Sequence, residues 1–221
     1  RLFVVKQNRR NATLQLLKQA VEQKRFGRIY MVNINVFWTR PQEYYDSAKW
    51  RGTWEFDGGA FMNQASHYID LLDWLIGPVE SVMAYTGTLA RDIEVEDSGV
   101  AAIRWRSGAM GTLNVTMLTY PQNLEGSITI LGEKGTVRVG GVAVNEIQHW
   151  EFADQRPEDA ITRIHTDSEP EYDPATGTGE PILTTSGLGI GHSEDAIASD
   201  INLAFKPGQI TALVGANGAG K

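Results

Sequence analysis

Residues 58–77 read GGAFMNQASHYIDLLDWLIG, and the rest of the chain is organised around them. At about 100° per residue, Phe61, Ala65, Tyr68, Leu72, Leu75 and Ile76 fall on one side of a helix. Asn63, His67, Asp70 and Trp74 fall on the other, in the spacing i, i+4, i+7 and i+11. The segment is expected to form one helix, entered through the paired glycines and ended at Gly77-Pro78. One face packs, and the opposite face presents an amide, an imidazole and a carboxylate in a row. From the pattern alone, the plainer reading of that second face is the solvated side of an ordinary amphipathic helix.

Upstream, residues 2–6 are a short strand candidate. Asn11 is placed to cap a helix over residues 11–24, whose apolar stripe is Leu14, Leu17, Ala20 and Val21; Gly27 supplies the stop. Residues 28–38, RIYMVNINVFW, alternate and are rich in β-formers, so they read as a strand. Residues 39–57 have no period but carry Tyr44, Tyr45, Trp50 and Trp54; such an aromatic loop covers a surface. Downstream, strand signals follow in series at 79–89, 98–106, 110–119, 126–131 and 136–139, with 145–152 as one more. Ser107-Gly108 reads as a tight hairpin turn. Consecutive strands without helices between them indicate a mostly antiparallel sheet. The expected class is α+β: a large, mostly antiparallel open β-sheet with the two helices on one face. Residues 154–191, acidic and rich in Pro, Gly, Ser and Thr, read as a long excursion or lid with little regular structure.

The 221 residues carry a net charge of −7 and no cysteine, which excludes disulfides and thiolate metal sites. His149, His165 and His192 lack metal-ligand spacing, so no metal is expected. Basic residues crowd positions 1–50 and acidic ones positions 151–200. The acidic balance argues against nucleic acid as the main partner. No apolar run is long enough to cross a bilayer, and no signal peptide is visible. A cytoplasmic location is expected. The first residue is Arg1 rather than methionine, which reads as a fragment of a longer product.

The far end carries a second signal. Residues 209–214 read as a strand running into Gly215-Ala-Asn-Gly218-Ala-Gly220-Lys221, the G-x-x-x-x-G-K core of a phosphate-cradling loop. Glycines let backbone N–H groups close around phosphate oxygens, and the lysine reaches the outer phosphates. The Ser or Thr that would hold magnesium, and the helix that would follow, are not in the sequence, so ATP is not expected as a working cofactor. These last twenty or so residues resemble the opening of an ABC-transporter ATPase of the sugar-importer type.

The main body, residues 2–192, resembles the C-terminal domain of the Gfo/Idh/MocA oxidoreductases. QNRR at 7–10 resembles the family's strand-end segment carrying an arginine, which Arg9 matches. KRFGRI at 24–29 resembles the step into the first sheet strand. DGGAFMNQASHYIDLLDWLIG at 57–77 resembles the family's glycine-led helix with its histidine, and ITILGEKG at 128–135 a strand near the end of the sheet. Within the family, FWTRPQEYY at 37–45 and the segments WRGTWEFDGGAFMNQASHY and DLLDWLIGPVE are most similar to the UDP-2-acetamido-2-deoxyglucuronate 3-dehydrogenases of surface-polysaccharide biosynthesis. Asn63 departs from the wider family's aspartate and Ala65 from its glycine; the amide fits the sugar-nucleotide subgroup.

The resemblance implies a large domain at 1–192 for substrate binding and oligomerisation. Residues 193–221 would be a truncated ATPase start. The two signals meet between about 191 and 200, which reads as a recombined, mis-assembled or engineered frame. It implies NAD as cofactor, held by a Rossmann domain expected before Arg1. No G-x-G-x-x-G or Glu-Lys-Pro is present, and Gly187–Gly191 has the wrong spacing for the dinucleotide fingerprint. It implies oxidation of a nucleotide-sugar acid at its 3-hydroxyl, with His67 moving the hydroxyl proton. Asn63 would orient the sugar or nicotinamide amide. Arg9 and Arg40 are candidates for the substrate carboxylate or diphosphate, and Tyr44 for lining the pocket. Asp70 is expected in a structural role and Trp74 in core or interface. The fragment alone is expected to turn over no substrate and to form a homo-oligomer through its sheet face. Two readings stand against this one: a truncated ATP-binding subunit of an ABC transporter, and a non-catalytic interaction module.

Overall fold

The computed structural model describes residues 6–157 and 159, and by backbone alone residues 183–192 and 195–205. Two compact units comprise residues 1–166 and 167–221. The first opens with a 3₁₀ turn, Gln7–Arg10, and helix α1, Ala12–Glu22. Strand β1 is Ile29–Phe37, followed by the short helices α2, Gln42–Asp46, and α3, Gly59–Met62, then α4, Ser66–Ile76. Strands β2 (Val79–Gly87), β3 (Ser98–Trp105), β4 (Met110–Thr116), β5 (Glu125–Gly132), β6 (Gly135–Gly140) and β7 (Glu146–Phe152) complete it. The second unit's described part is a hairpin of β8, Leu183–His192, and β9, Asp195–Phe205.

The seven strands form one sheet in the order β2-β3-β4-β1-β5-β6-β7. Two meanders, β2–β3–β4 and β5–β6–β7, flank β1. It pairs parallel to β4 and antiparallel to β5, so the sheet is antiparallel everywhere else. Period-two alternation puts Val32, Ile34 and Val36 of β1 in the core with Leu113, Val115, Ile128, Ile130, Val137 and Val139. Leu14, Leu17 and Ala20 of α1 and Tyr68, Leu71, Leu72 and Leu75 of α4 cover that face. The expected α+β layer, with helices on one side, is what the chain builds.

The opposite face of the sheet is polar at its middle. Asn114 Nδ2 donates to Asn35 Oδ1 at 2.9 Å, Asn35 Nδ2 to Glu125 Oε1 at 2.9 Å, and Arg138 Nη2 to the same Glu125 oxygen at 2.8 Å. Towards the β2 edge it turns apolar, with Met83, Tyr85 and Val100 exposed.

Two expectations need correction, and two concern residues that are not described. Residues 58–77 do not form one helix: α3 stops at Met62 and α4 starts at Ser66. Asn63 sits in the break at φ −97°, ψ −86°, outside helical geometry. The cause is local and tertiary together. Gly58 and Gly59 hold positive φ (74° and 81°), and a Cβ on Gly59 would come within 2.2 Å of the Glu96 carboxylate. Glu96 in turn fastens this entry, its carbonyl accepting from Ala60 N and its Oε1 from Phe61 N, both at 3.0 Å. The lid at 154–191 is also not wholly irregular, because β8 occupies 183–192. The strand candidate at 2–6, except Lys6, and the phosphate-loop residues Gly215, Gly218, Gly220 and Lys221 lie outside the described residues.

Candidate functional site

The helix break gathers the candidate chemistry. Asn63 Nδ2 donates to Asp57 Oδ1, and the other carboxylate oxygen of this buried aspartate accepts from Gly52 N at 2.7 Å. Ser66 Oγ donates to the Asn63 carbonyl at 2.7 Å, and Lys6 Nζ donates to Ser66 Oγ at 2.9 Å. Asn63 is thereby held at both its side chain and its backbone. His67 follows one residue later, half-buried, its Nδ1 fully enclosed and without a hydrogen-bond partner.

Burial pushes the His67 pKa below its ordinary value, and the Lys6 ammonium pushes the same way against the opposing charge of Asp70. The imidazole is therefore held towards its neutral, proton-accepting form. Asp70, on the same face one turn on, does not reach the ring nitrogen. Its two oxygens accept from Arg9 Nε at 2.7 Å and Nη2 at 2.6 Å. Among the described residues no hydrogen bond to Nδ1 fixes the His67 tautomer.

Arg9 and Lys18 both stack on Trp74, at 5.5 and 5.3 Å from the ring centroid, and Lys18 Nζ donates to the Trp74 carbonyl at 2.6 Å. The lower half of the polar face, from Asp70 to Trp74, is thus a docking seam for the chain's first helical turns rather than solvated surface. This agrees with the structural role expected for Asp70 and Trp74. Arg9, read from sequence as a substrate ligand, has one edge of its fork on Asp70.

Arg40 and Tyr44 come together on the 38–57 loop. The Arg40 guanidinium lies 5.3 Å from the Tyr44 ring and 5.5 Å from that of Trp38, and Arg51 covers Tyr44 at 4.0 Å. Gly52, which follows Arg51, is the donor to Asp57, so one carboxylate ties this cationic aromatic loop to the Asn63 wall. The neighbouring Tyr45 hydroxyl is pushed up to about 12 by burial, with the charge of Asp57 adding to it. Arg40 is further braced by Arg91, whose Nε donates to its carbonyl at 2.8 Å. The Arg91 loop is itself gathered by buried Asp97, which accepts from Leu89, Ala90 and Arg91 N–H groups.

Sequence reasoning missed Lys6, Asp57, Ser66 and Arg51. Lys6 ended a strand-like run, and Asp57 stood beside the glycines without a periodic place. Two surface hollows lie elsewhere. One of about 520 Å³ sits on the open sheet face among Phe37, Tyr85, Leu89 and Val100. Another, of about 280 Å³, lies among Phe61, Ile69, Leu72, Val82 and Ile103. Neither is lined by Asn63 or His67, which stand as a wall at the helix break. Among the described residues no cluster of His, Asp and Glu could hold a metal, and no helix is long and apolar enough to cross a membrane.

The chain is similar to several known proteins. Over 73% of its length the chain is 81% identical to the WlbA dehydrogenase of Chromobacterium violaceum, solved with NADH and UDP-GlcNAcA, with a TM-score of 0.71. Over 75% it is 80% identical to WlbA of Bordetella pertussis, solved with the same two molecules, with a TM-score of 0.72. The chain spans about half the length of these two structures, 47% and 49%. Levoglucosan dehydrogenase shares the fold at 23% identity and a TM-score of 0.61. A 42-residue stretch, 19% of the chain, is 43% identical to the zinc import ATP-binding protein ZnuC of Alcanivorax borkumensis, covering 16% of that protein. The model of the GFO/IDH/MocA C-terminal domain matches residues 14–138, strand β1 and the Asn63–His67 wall included. The chain therefore belongs to the Gfo/Idh/MocA oxidoreductase family, whose C-terminal domain it carries.

Proposed function

We propose that the Asn63–His67 wall is the substrate side of an NAD-dependent dehydrogenase acting on the 3-hydroxyl of a UDP-linked 2-acetamido-2-deoxyglucuronic acid, in surface-polysaccharide biosynthesis in the cytoplasm. The observation that carries this is the half-buried His67, biased neutral, beside an amide held from two directions. Support comes from relatives about 80% identical, solved with NADH and UDP-GlcNAcA.

His67 accepts the proton of the hydroxyl being oxidised, and its neutral form at pH 7 is the competent one. Asn63 orients the sugar. Arg40, stacked with Arg51 about Tyr44, faces the diphosphate or carboxylate, for which a guanidinium fork is suited. Arg9 contributes charge from behind Asp70. A nicotinamide, when bound, supplies the hydride acceptor. Among the described residues no strand runs through a glycine loop into a helix, so no dinucleotide cradle is assigned to them and no step is routed through one. The apolar end of the open sheet face, Met83, Tyr85 and Val100, serves self-association into a homo-oligomer.

Binding rather than turnover is the readout suited to this chain. Calorimetric titration with UDP-GlcNAcA is expected to show saturable binding that His67→Ala and Asn63→Ala each weaken about tenfold. UMP alone binding as tightly as the full sugar nucleotide, in wild type and both variants, would contradict the reading.

A further inference from the structure

A carboxylate accepts hydrogen bonds and does not donate them, so it is the Nδ2 end of an amide that turns towards it. Asp57 makes such a hold on Asn63 with one oxygen while the other takes Gly52 N at 2.7 Å. The aspartate is buried, at 9% exposure, and cannot swing out to water without abandoning both partners. Asn63 is fixed from the backbone side as well, through Ser66 and Lys6. The amide therefore has one orientation, with its carbonyl Oδ1 directed away from Asp57. A carboxylate at position 63 would bring two acids into contact, which raises the proton affinity of one of them and opposes folding when both are ionised.

We propose that Asp57 is a positioning residue. It fixes the Asn63 amide so that Oδ1 is offered to the ligand, and the wall takes a hydrogen-bond donor there, a sugar hydroxyl or an acetamido N–H. This rests on the substrate reading above and adds the polarity of one of its contacts. Asp57 also explains why position 63 carries an amide rather than the acid.

Asp57→Asn makes the sharpest test because it keeps both bonds and reverses the sense of one. The introduced amide would accept from Gly52 N through its oxygen and donate through its nitrogen to Asn63 Oδ1. Asn63 would then present N–H to the ligand instead of carbonyl. Binding of UDP-GlcNAcA is expected to weaken about tenfold, with the thermal midpoint within a few degrees of wild type. The second arm needs no ligand. Asn63→Asp is expected to lose stability progressively from pH 5 to pH 8, and the swap Asp57→Asn/Asn63→Asp to recover the wild-type profile. The swap reports the contact itself; the positioning role is read from the loss of affinity at an unchanged thermal midpoint.

Unchanged affinity in Asp57→Asn, with Asn63→Ala still weakened, overturns the positioning role and leaves the substrate reading standing. A flat pH profile for Asn63→Asp overturns the contact between the two side chains. If wild type binds no UDP-GlcNAcA, the substrate reading fails and the ligand half of this proposal with it, whereas the pH arm still reports the Asp57–Asn63 contact on its own.

Discussion

At the scale of single residues, His67 is shaped by what surrounds it more than by its place in the pattern. Its enclosed Nδ1 and the Lys6 charge both disfavour the imidazolium. In an NMR titration its ring is expected to protonate below the ordinary histidine range, and Lys6→Gln to move that transition upward by removing a positive charge. A base with a depressed folded pKa leaves the unfolded state binding more protons. Stability is then fully present above about pH 6.5 and falls as pH drops towards the folded pKa. An unshifted ring, or one indifferent to Lys6, would remove the electrostatic part of the account. In the sequence the resemblance pointed to both positions, His67 by matching the family's histidine and Asn63 by departing from its aspartate to an amide. Their supports were not legible there. Lys6 lies 60 residues from Ser66, and Asp57 acts through a side-chain bond that no periodicity encodes.

At the scale of elements, the sheet was readable and the helix break was not. Alternation in residues 29–37 and the later strands reflects a one-sided core, a property each strand carries by itself. The split between α3 and α4 arises where Gly58 and Gly59 enter at positive φ against Glu96, a residue some 35 positions away. Gly59→Ala is therefore expected to destabilise by more than about 1 kcal/mol, through strain at φ 81° and contact with the Glu96 carboxylate; chemical denaturation measures it. Leu71, fully buried under the sheet, is expected to cost about 2–5 kcal/mol as Leu71→Ala in the same assay. Asp97 ties the 88–97 loop to β3. Burial alone would raise its pKa, but three backbone N–H groups and the Ser98 hydroxyl outweigh that and hold it below the usual carboxylate range. An acid depressed in the fold stabilises above its unfolded value, about 4, and that stability is lost as pH falls through the folded value. Asp97→Asn should remove this acid-side dependence and lower stability by about 1–3 kcal/mol at pH 7. An unaltered acid limb of the stability curve would contradict it.

At the scale of the whole molecule, the first unit sets one packed layer beside the Asn63–His67 wall. Helices α1 and α4 close the inner face of the sheet. The N-terminal turn docks on Asp70 and Trp74, so that the rest of the polar face is short, Asn63 to His67. The aromatic loop with Arg40, Tyr44 and Arg51 is joined to that wall through Asp57. We propose that this wall, and not the open sheet face, meets the sugar nucleotide. Side-chain NMR of the isotope-labelled chain, titrated with UDP-GlcNAcA, tests it most directly. Saturable shifts are expected in the Asn63 amide and the His67 ring, with Ser66 and Lys6 following. Shifts confined to Tyr85, Val100 and their neighbours on the open face, with Asn63 and His67 unmoved at saturation, would contradict it.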